Sequence, residues 1–184
     1  EKALALGSLL AALLFGVALG NVIYGVPLTS QGEYAGSFFT LLRPVPLLFG
    51  VTGLAAVLLQ GGSWAALKTE GEAQKRSFQA VQVLLWINIV AALVYFAALA
   101  VIFTGLSGNA LFYVAVFCTL TGLAGLYFFL LKRNDAALIW ASSISFTGLF
   151  LAAGAAQFPR LITASNDAAL SLTIYNSSTS LYSL

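Results

Sequence analysis

The stretch that decides the fold lies at residues 110–157 and reads ALFYVAVFCTLTGLAGLYFFLLKRNDAALIWASSISFTGLFLAAGAAQ. Two apolar runs, 110–131 and 136–157, flank a link of four polar residues. A bilayer core about 30 Å thick needs roughly 20 apolar residues in a helix, and each run is long enough. The short link therefore predicts an antiparallel hairpin of two membrane helices, with Asn134 and Asp135 supplying turn and N-cap chemistry.

The same reasoning finds three earlier spans, at about residues 3–24, 46–67 and 78–103. Of the 184 residues, 60% are hydrophobic and 8% charged, and the mean hydropathy is +0.97, values that do not suit a soluble core with a wetted surface. We therefore predict an all-α, polytopic transmembrane helix bundle with five spans, forming a single membrane domain over residues 1–184. The tail at 158–184 is too polar to span, and we expect it to face outward.

Basic residues set the expected orientation of the spans. When the spans alternate, only Arg43 and Arg160 fall on one face of the membrane, and the other six fall on the opposite face: Lys2, Lys68, Lys75, Arg76, Lys132 and Arg133. Because cytoplasmic loops carry an excess of Lys and Arg, the loops at 68–76 and 132–135 are predicted to be cytoplasmic. The 25–43 loop, the 104–109 turn and the tail then face outward.

The spans are poor in groups that perform chemistry. The chain has no His and no Met, and no span contains a side chain charged at neutral pH, although haem, metals and proton relays within membranes need such groups. The single cysteine, Cys118, is interpreted as a packing residue. A net charge of +2 with scattered basic residues excludes nucleic acid as a partner. We therefore predict no catalytic, cofactor-binding or metal-ligating residue.

Small residues recur at helical spacing in most spans. Since lipid exerts no hydrophobic pressure between helices, such residues carry the packing by allowing close backbone approach. Contacts within the chain are favoured over a subunit interface. The residues concerned are Ala12, Gly16, Gly20, Gly50, Gly53, Gly122, Gly125, Gly148, Ala152 and Ala156.

A few uncharged polar groups lie within the spans. Gln79, Gln82 and Trp86 share one helical face, which could form a quinone headgroup or water site. Interhelical hydrogen bonds with an interfacial aromatic ring are the preferred interpretation. The same interpretation applies to Gln60 and Asn88.

Several short motifs follow one another in a fixed order along the chain. They are Phe15-Gly16-Val17-Ala18-Leu19-Gly20-Asn21, Gly25-Val26-Pro27, Gly36-Ser37-Phe38-Phe39, Leu41-Leu42-Arg43-Pro44, Gln60-Gly61-Gly62, Leu67-Lys68-Thr69-Glu70-Gly71, Phe158-Pro159 and Ser171-Leu172-Thr173-Ile174-Tyr175-Asn176-Ser177-Ser178. In order and spacing the chain resembles subunit II of cytochrome bd-type quinol oxidases, in its middle to C-terminal portion. The family would have further helices before Glu1 and one more after Leu184, in keeping with the missing initiator methionine.

The resemblance implies a haem-free structural subunit in the bacterial cytoplasmic membrane. Its partner would be a homologous subunit I that carries two b-type haems and one d-type haem. That subunit oxidises quinol and reduces dioxygen to water, with proton-gradient formation. The resemblance also leaves room for a bound quinone, lipid and small accessory membrane subunits. Acidic residues that the family uses near a proton path lie in the earlier helices.

No catalytic residue carries over from the family. The positions that transfer are family-marking and are expected to support the fold: Gly20, Asn21, Gly25, Pro27, Arg43, Pro44, Lys68, Thr69, Glu70, Gly71, Phe158, Pro159, Ser171, Leu172, Thr173 and Asn176. Two other classes remain open. A small-solute transporter or channel would be favoured by helices broken near the membrane centre, for which the glycines of the second and fourth spans are the candidates. A purely structural assembly protein is the third class.

Overall fold

The apolar runs fold into five long α-helices. The computed structural model describes residues 2–175 and 177, without the side chains of residues 104, 107 and 168. The helices are α1 (Lys2–Tyr24), α2 (Pro44–Lys68), α3 (Gly71–Ile102), α4 (Ala110–Lys132) and α5 (Asp135–Gln157). Each is long and apolar enough to cross a membrane, so the predicted all-α polytopic bundle is confirmed.

Short elements connect the helices. The described residues include 3-10 turns at Phe38–Leu42, Thr104–Gly108 and Ala168–Leu170. After α5, strand β1 (Arg160–Ile162) pairs antiparallel with strand β2 (Leu172–Thr173). Many large apolar side chains point away from the bundle, such as Leu4 and Val101, which are 79% and 78% exposed. Such surfaces suit a lipid environment rather than water.

Helix α3 begins earlier than predicted. It starts at Gly71, so the prediction of a loop over 68–76 was wrong, and only two residues, Thr69 and Glu70, link α2 to α3. Gly71 has a positive φ of 64°, which turns the chain in this short link. The helix then carries Glu72 and Arg76 as an ion pair 3.5 Å apart. Hydropathy marks where a helix enters lipid, and charged residues continue the same helix beyond it.

The α4–α5 hairpin forms as predicted. Arg133 adopts the left-handed conformation that ends α4, with φ 50° and ψ 40°. Asn134 caps α5, and its Oδ1 accepts a hydrogen bond of 3.1 Å from the Ala137 N–H. The carboxylate of Asp135 accepts from the Ala136 N–H at 2.7 Å. The four-residue link thus reverses the chain through the turn and cap chemistry that its side chains favour.

Glycines mediate the closest helix contacts. A Cβ atom added at Gly16 of α1 would lie 2.8 Å from the Gly50 Cα of α2. A Cβ at Gly122 of α4 would clash with the Ser145 backbone nitrogen of α5 and lie 2.7 Å from the Ser145 Cα. Real Cβ atoms do not approach other atoms this closely, so only glycine permits these separations. The preferred interpretation of these glycines, as contacts within one chain, is confirmed.

Interhelical hydrogen bonds of Asn88 and Gln60 add to this packing. The Asn88 Nδ2 of α3 donates to the Ala55 carbonyl of α2 at 2.9 Å. The Gln60 Nε2 of α2 donates to the Ser143 Oγ of α5 at 2.8 Å. Both confirm the predicted role of these amides. Helix α2 therefore lies between α1, α3 and α5, whereas α4 packs closely on α5 and more sparsely on α3.

Candidate functional site: a loop cap over the helix ends

The segments that follow α1 and α5 fold against each other into one layer, which we call the loop cap (residues 25–43 and 158–175). The Val26 N–H donates to the Thr163 carbonyl at 3.0 Å, and the Ser165 N–H donates to the Val26 carbonyl at 3.0 Å. Asn166 forms a reciprocal pair with the Leu28 backbone, at 3.0 Å and 2.7 Å. Segments 138 residues apart in sequence are thus joined at one end of the bundle.

A hydrogen-bond network ties the end of α1 to the start of α2. The buried Asn21 side chain donates from Nδ2 to the Val17 carbonyl at 2.9 Å and to the Leu41 carbonyl at 2.8 Å. Its backbone carbonyl accepts from the Gly25 N–H at 2.9 Å. Because one amide bonds both its own helix and the chain entering α2, it fixes the path of the 25–43 loop.

Arg43 completes this connection. Its Nη2 donates to the Gly25 carbonyl, and its guanidinium lies 4.9 Å from the centre of the Tyr24 ring. Arg43 is also the N-cap of α2, where Pro44 takes the first helical position. Proline suits this position because its missing N–H would have no partner there. The only cation in the 25–43 loop is therefore used to join helix ends.

The tail holds its place in the loop cap through small polar contacts. Ser171 is 3% exposed, and its Oγ accepts from the Ala164 N–H at 3.0 Å. The Ile174 N–H donates to the Pro159 carbonyl at 3.2 Å. A cis peptide bond joins Phe158 to Pro159 at the point where the chain leaves α5. Residues 158–175 of the polar tail are thus part of the layer.

The structure divides the family-marking positions between two ends of the bundle. Eleven belong to the loop cap or the helix ends beneath it: Gly20, Asn21, Gly25, Pro27, Arg43, Pro44, Phe158, Pro159, Ser171, Leu172 and Thr173. Lys68, Thr69, Glu70 and Gly71 lie at the opposite end of α2. Asn176 lies outside the described residues.

The second group builds the tight α2–α3 link. The Thr69 hydroxyl donates to the Ala65 carbonyl at 2.7 Å, and the Thr69 N–H donates to the same carbonyl at 3.0 Å. The Lys68 ammonium lies 5.1 Å from the centre of the Trp64 ring. Each of these contacts is local, so this motif ends one helix and begins the next.

Apart from the Arg43 guanidinium, which donates to the Gly25 carbonyl, the hydrogen bonds of the loop cap described above join neutral groups. The acidic residues of the loop cap, Glu33 and Asp167, are exposed. Over residues 2–175 and 177 the structure has no group of three or more His, Cys, Asp or Glu side chains able to hold a metal ion. The arrangement holds the ends of α1, α2 and α5 in fixed positions relative to one another.

A second candidate site is an apolar cavity of about 200 Å³ between α1, α2, α3 and α5. Its polar groups are Thr52, whose buried hydroxyl has no partner among the described residues, and Tyr95. The Tyr95 hydroxyl donates to the Leu149 carbonyl at 3.3 Å, and its ring packs 5.0 Å from that of Phe49. The sequence analysis did not single out Tyr95, although a tyrosine in the middle of a span is a recognisable signal. The cavity can accommodate an apolar group.

The glutamines at the start of α3 do not behave as predicted. Gln79 and Gln82 are both exposed and line a cleft between α3 and α4, where they make no hydrogen bond to another of the described helices. The preferred interpretation, interhelical hydrogen bonding, was therefore wrong for these two residues. The prediction fails because α4 packs loosely on α3, so the two amides face open space.

The five apolar helices of the described residues, packed through glycine contacts, define a polytopic α-helical membrane protein. The chain belongs to the cytochrome bd terminal oxidase subunit II family, which it matches over residues 1–184. The resemblance stated from the sequence motifs is confirmed.

Individual relatives share parts of the chain. It is 45% identical over 67 residues to the probable cytochrome oxidase subunit 2 of Haemophilus influenzae. The matched segment covers 34% of this chain and 18% of that relative. It is 35% identical over 89 residues to the cytochrome bd-I ubiquinol oxidase subunit 2 of Escherichia coli strain K12. That match covers 46% of this chain and 24% of the Escherichia protein. It is 26% identical over 184 residues to the cytochrome bd ubiquinol oxidase subunit 2 of Bacillus subtilis. That match covers 97% of this chain and 53% of the Bacillus protein. The chain thus spans about half the length of the Bacillus protein and smaller shares of the other two.

Proposed function

We propose that the chain is a haem-free structural subunit of a bd-type quinol:dioxygen oxidoreductase in aerobic respiration. In this proposal a partner subunit I binds two b-type haems and one d-type haem, oxidises quinol and reduces dioxygen to water with formation of a proton gradient. The single observation that carries the proposal is the family match over residues 1–184. The names of the Escherichia and Bacillus relatives, both subunits 2 of ubiquinol oxidases, support it.

The side chains of this chain do not suit a haem iron. The family resemblance implies His, Met or Glu as haem ligands; the sequence contains no His and no Met, and Glu33, Glu70 and Glu72 are exposed in loops or at helix ends. Its one thiol, Cys118, is half-buried on α4 with no motif around it. This donor set supports the proposed structural role, since the chain can pack against a haem-bearing partner without supplying a ligand.

The helices give the transporter alternative little support. Transporter sites are formed by helices broken near the membrane centre. Helix α2 runs unbroken through Gly50 and Gly53, and α4 runs unbroken through Gly122 and Gly125. These glycines serve helix contacts or lie near them, so the feature that would favour a transporter is not found in the described helices.

The oxidase proposal predicts that haem accompanies the chain only through a partner. We expect the tagged parent protein, purified in mild detergent, to bring down a haem-bearing polypeptide and to give b- and d-type bands in a reduced-minus-oxidised spectrum. The same protein produced in a strain without the partner should give no haem bands, because it has no ligands for the iron. Failure to recover a haem-bearing polypeptide would overturn the oxidase proposal. Haem bands without the partner would instead overturn the haem-free role.

The distribution of basic residues supports a cytoplasmic position for the α2–α3 and α4–α5 links. We expect a membrane-impermeant maleimide to label Ser30→Cys in intact spheroplasts and Glu72→Cys only after lysis, both in a Cys118→Ser background. Both positions are exposed, and losing the exposed pair between Glu72 and Arg76 costs little. The background protein without a new cysteine serves as the control. The reverse labelling pattern would invert the proposed orientation.

A further inference from the structure

The cleft between α3 and α4 has a polar, cationic mouth. The mouth has a volume of about 350 Å³ and opens at the helix ends that carry most of the basic residues. Its cations are Lys75 of α3 and Arg133 at the end of α4. The amides of Gln79 and Gln82 line the same space. Four donor-bearing side chains thus face one opening at the edge of the predicted bilayer.

The cleft continues along the same two helices as an apolar shaft of about 340 Å³. The mouth and the shaft share Trp86 and Tyr127, whose ring centres lie 6.3 Å apart. Below these rings the lining is apolar, formed by Ile89, Ala92, Leu93, Phe96, Leu120, Leu123 and Ala124. Tryptophan and tyrosine are enriched where the headgroup region meets the hydrocarbon core. The cleft therefore changes from polar to apolar at the depth where a lipid does.

The two cations of the mouth differ from their neighbours. Arg76 is paired with Glu72 at 3.5 Å, and the Lys132 ammonium lies 4.2 Å from the centre of the Phe128 ring. Within the part of the chain that the structure describes, neither Lys75 nor Arg133 forms an ion pair.

The carboxylate that follows Arg133 in sequence already has partners. Asp135 accepts from the Ala136 N–H at 2.7 Å and from the Gln74 Nε2 at 3.3 Å. The mouth is left with two positive charges and no facing carboxylate among its lining residues.

We propose that this cleft binds an anionic phospholipid. Its phosphate lies between Lys75 and Arg133, the amides of Gln79 and Gln82 donate to headgroup and ester oxygens, and an acyl chain occupies the shaft. Basic pockets between membrane helices are typical sites for anionic lipid headgroups. A quinone has an uncharged headgroup and would leave both cations unpaired, and a free anion would leave the apolar shaft unfilled.

The test compares lipid binding to the full-length protein, purified within its membrane assembly and delipidated by detergent exchange. Phosphatidylglycerol and phosphatidylcholine with identical acyl chains are added, and native mass spectrometry gives the apparent Kd of each. We expect tighter binding of phosphatidylglycerol. The double variant Lys75→Gln, Arg133→Gln should raise its apparent Kd about tenfold, because each cation contributes to attraction of an anionic lipid. Its Kd for phosphatidylcholine should stay the same.

A matched control removes two cations from the same end of the bundle. Lys2 and Arg76 do not line the cleft, so Lys2→Gln, Arg76→Gln should leave phosphatidylglycerol affinity unchanged. If this control loses as much phosphatidylglycerol affinity as the Lys75→Gln, Arg133→Gln variant, the proposal is wrong. Equal affinity of the wild-type protein for both lipids would also overturn it. The single variant Lys75→Gln keeps the test valid if the double variant does not fold, since Lys75 is exposed.

A separate variant tests the shaft. Ala124 is exposed within the shaft. Ala124→Phe should fill the space of the acyl chain and weaken the binding of both lipids. Unchanged lipid binding in this variant would show that the shaft holds no acyl chain. If Ala124→Cys cross-links efficiently to a helix of another polypeptide, protein fills the cleft and the proposal is wrong.

Discussion

Replacing Gly148 with alanine is expected to destabilise the bundle strongly, by about 1–3 kcal/mol or more. The added Cβ would clash with the Thr119 Oγ1, and it would lie 2.6 Å from the Thr119 backbone nitrogen and 2.7 Å from the Ala115 carbonyl oxygen. The Thr119 hydroxyl is itself held by a bond of 2.9 Å to the Ala115 carbonyl. Because two of the three atoms are helix backbone, no side-chain rotation relieves the clash. Helices α4 and α5 must separate, and they form the most extensive helix contact in the bundle.

Gly154 on the same helix provides the control. A Cβ added there meets no atom within 4 Å, and alanine is a better helix former than glycine by about 1 kcal/mol. We therefore expect Gly154→Ala to be neutral or slightly stabilising. The measurement is the thermal unfolding midpoint of the purified protein in detergent, together with its level in the membrane. Equal midpoints for the two variants would show that the α4–α5 contact tolerates a methyl group at Gly148.

The helix packing could largely be predicted from the sequence. Gly16, Gly50, Gly122 and Gly148 stand at helical spacing in spans with few other means of association, and each lies at a helix contact. In lipid, close backbone approach is the main source of packing, so a glycine at such a position is a direct signal. The hairpin link was equally readable because its cap chemistry is local to Asn134.

The start of α3 was not predictable from hydropathy. Residues 71–77 are too polar for the membrane, yet Glu72 and Arg76 stand at the i,i+4 spacing that supports a helix in water. The apolar pattern predicts which residues lie in lipid. It does not predict how far a helix extends beyond the lipid. For a related reason, interhelical hydrogen bonds were preferred over an open polar site for Gln79 and Gln82, although both residues line the α3–α4 cleft. Helical spacing places Gln79 and Gln82 on one face but does not reveal how closely the next helix packs there.

The loop cap depends on contacts that no local pattern contains. Asn166 and the Leu28 backbone are paired across 138 residues, and Ser171 bonds a backbone group seven residues earlier. The family motifs marked Asn21, Gly25 and Arg43 as important positions, but not as parts of one network. The bonds of Val26 with Thr163 and Ser165 join backbone groups, which every residue type carries, so the sequence contains no specific signal for them.

Gly25 tests whether this network holds the tail in place. Its φ of +106° disfavours any residue with a Cβ, and an added Cβ would lie 3.2 Å from the Thr163 carbonyl oxygen and 3.3 Å from the Ser165 nitrogen. Gly25→Ala therefore combines backbone strain with a clash against the tail. We expect the 163–165 segment to be displaced and its bonds to Val26 to be lost, at a cost of about 1–3 kcal/mol beyond the strain itself.

Gly32 separates the two effects. It also has a positive φ, +81°, but a Cβ there meets no atom within 4 Å, so Gly32→Ala introduces strain without a clash. The measurement is limited trypsin digestion in detergent, following cleavage after Arg160, which lies in strand β1 and must leave it to be cut. Cleavage after Arg160 should be several-fold faster in Gly25→Ala than in Gly32→Ala or the wild-type protein. If both variants are cut at the same rate, the contact between Gly25 and the tail does not hold the loop cap together. A faster cut in Gly25→Ala alone means that the end of α1 positions the chain that leaves α5.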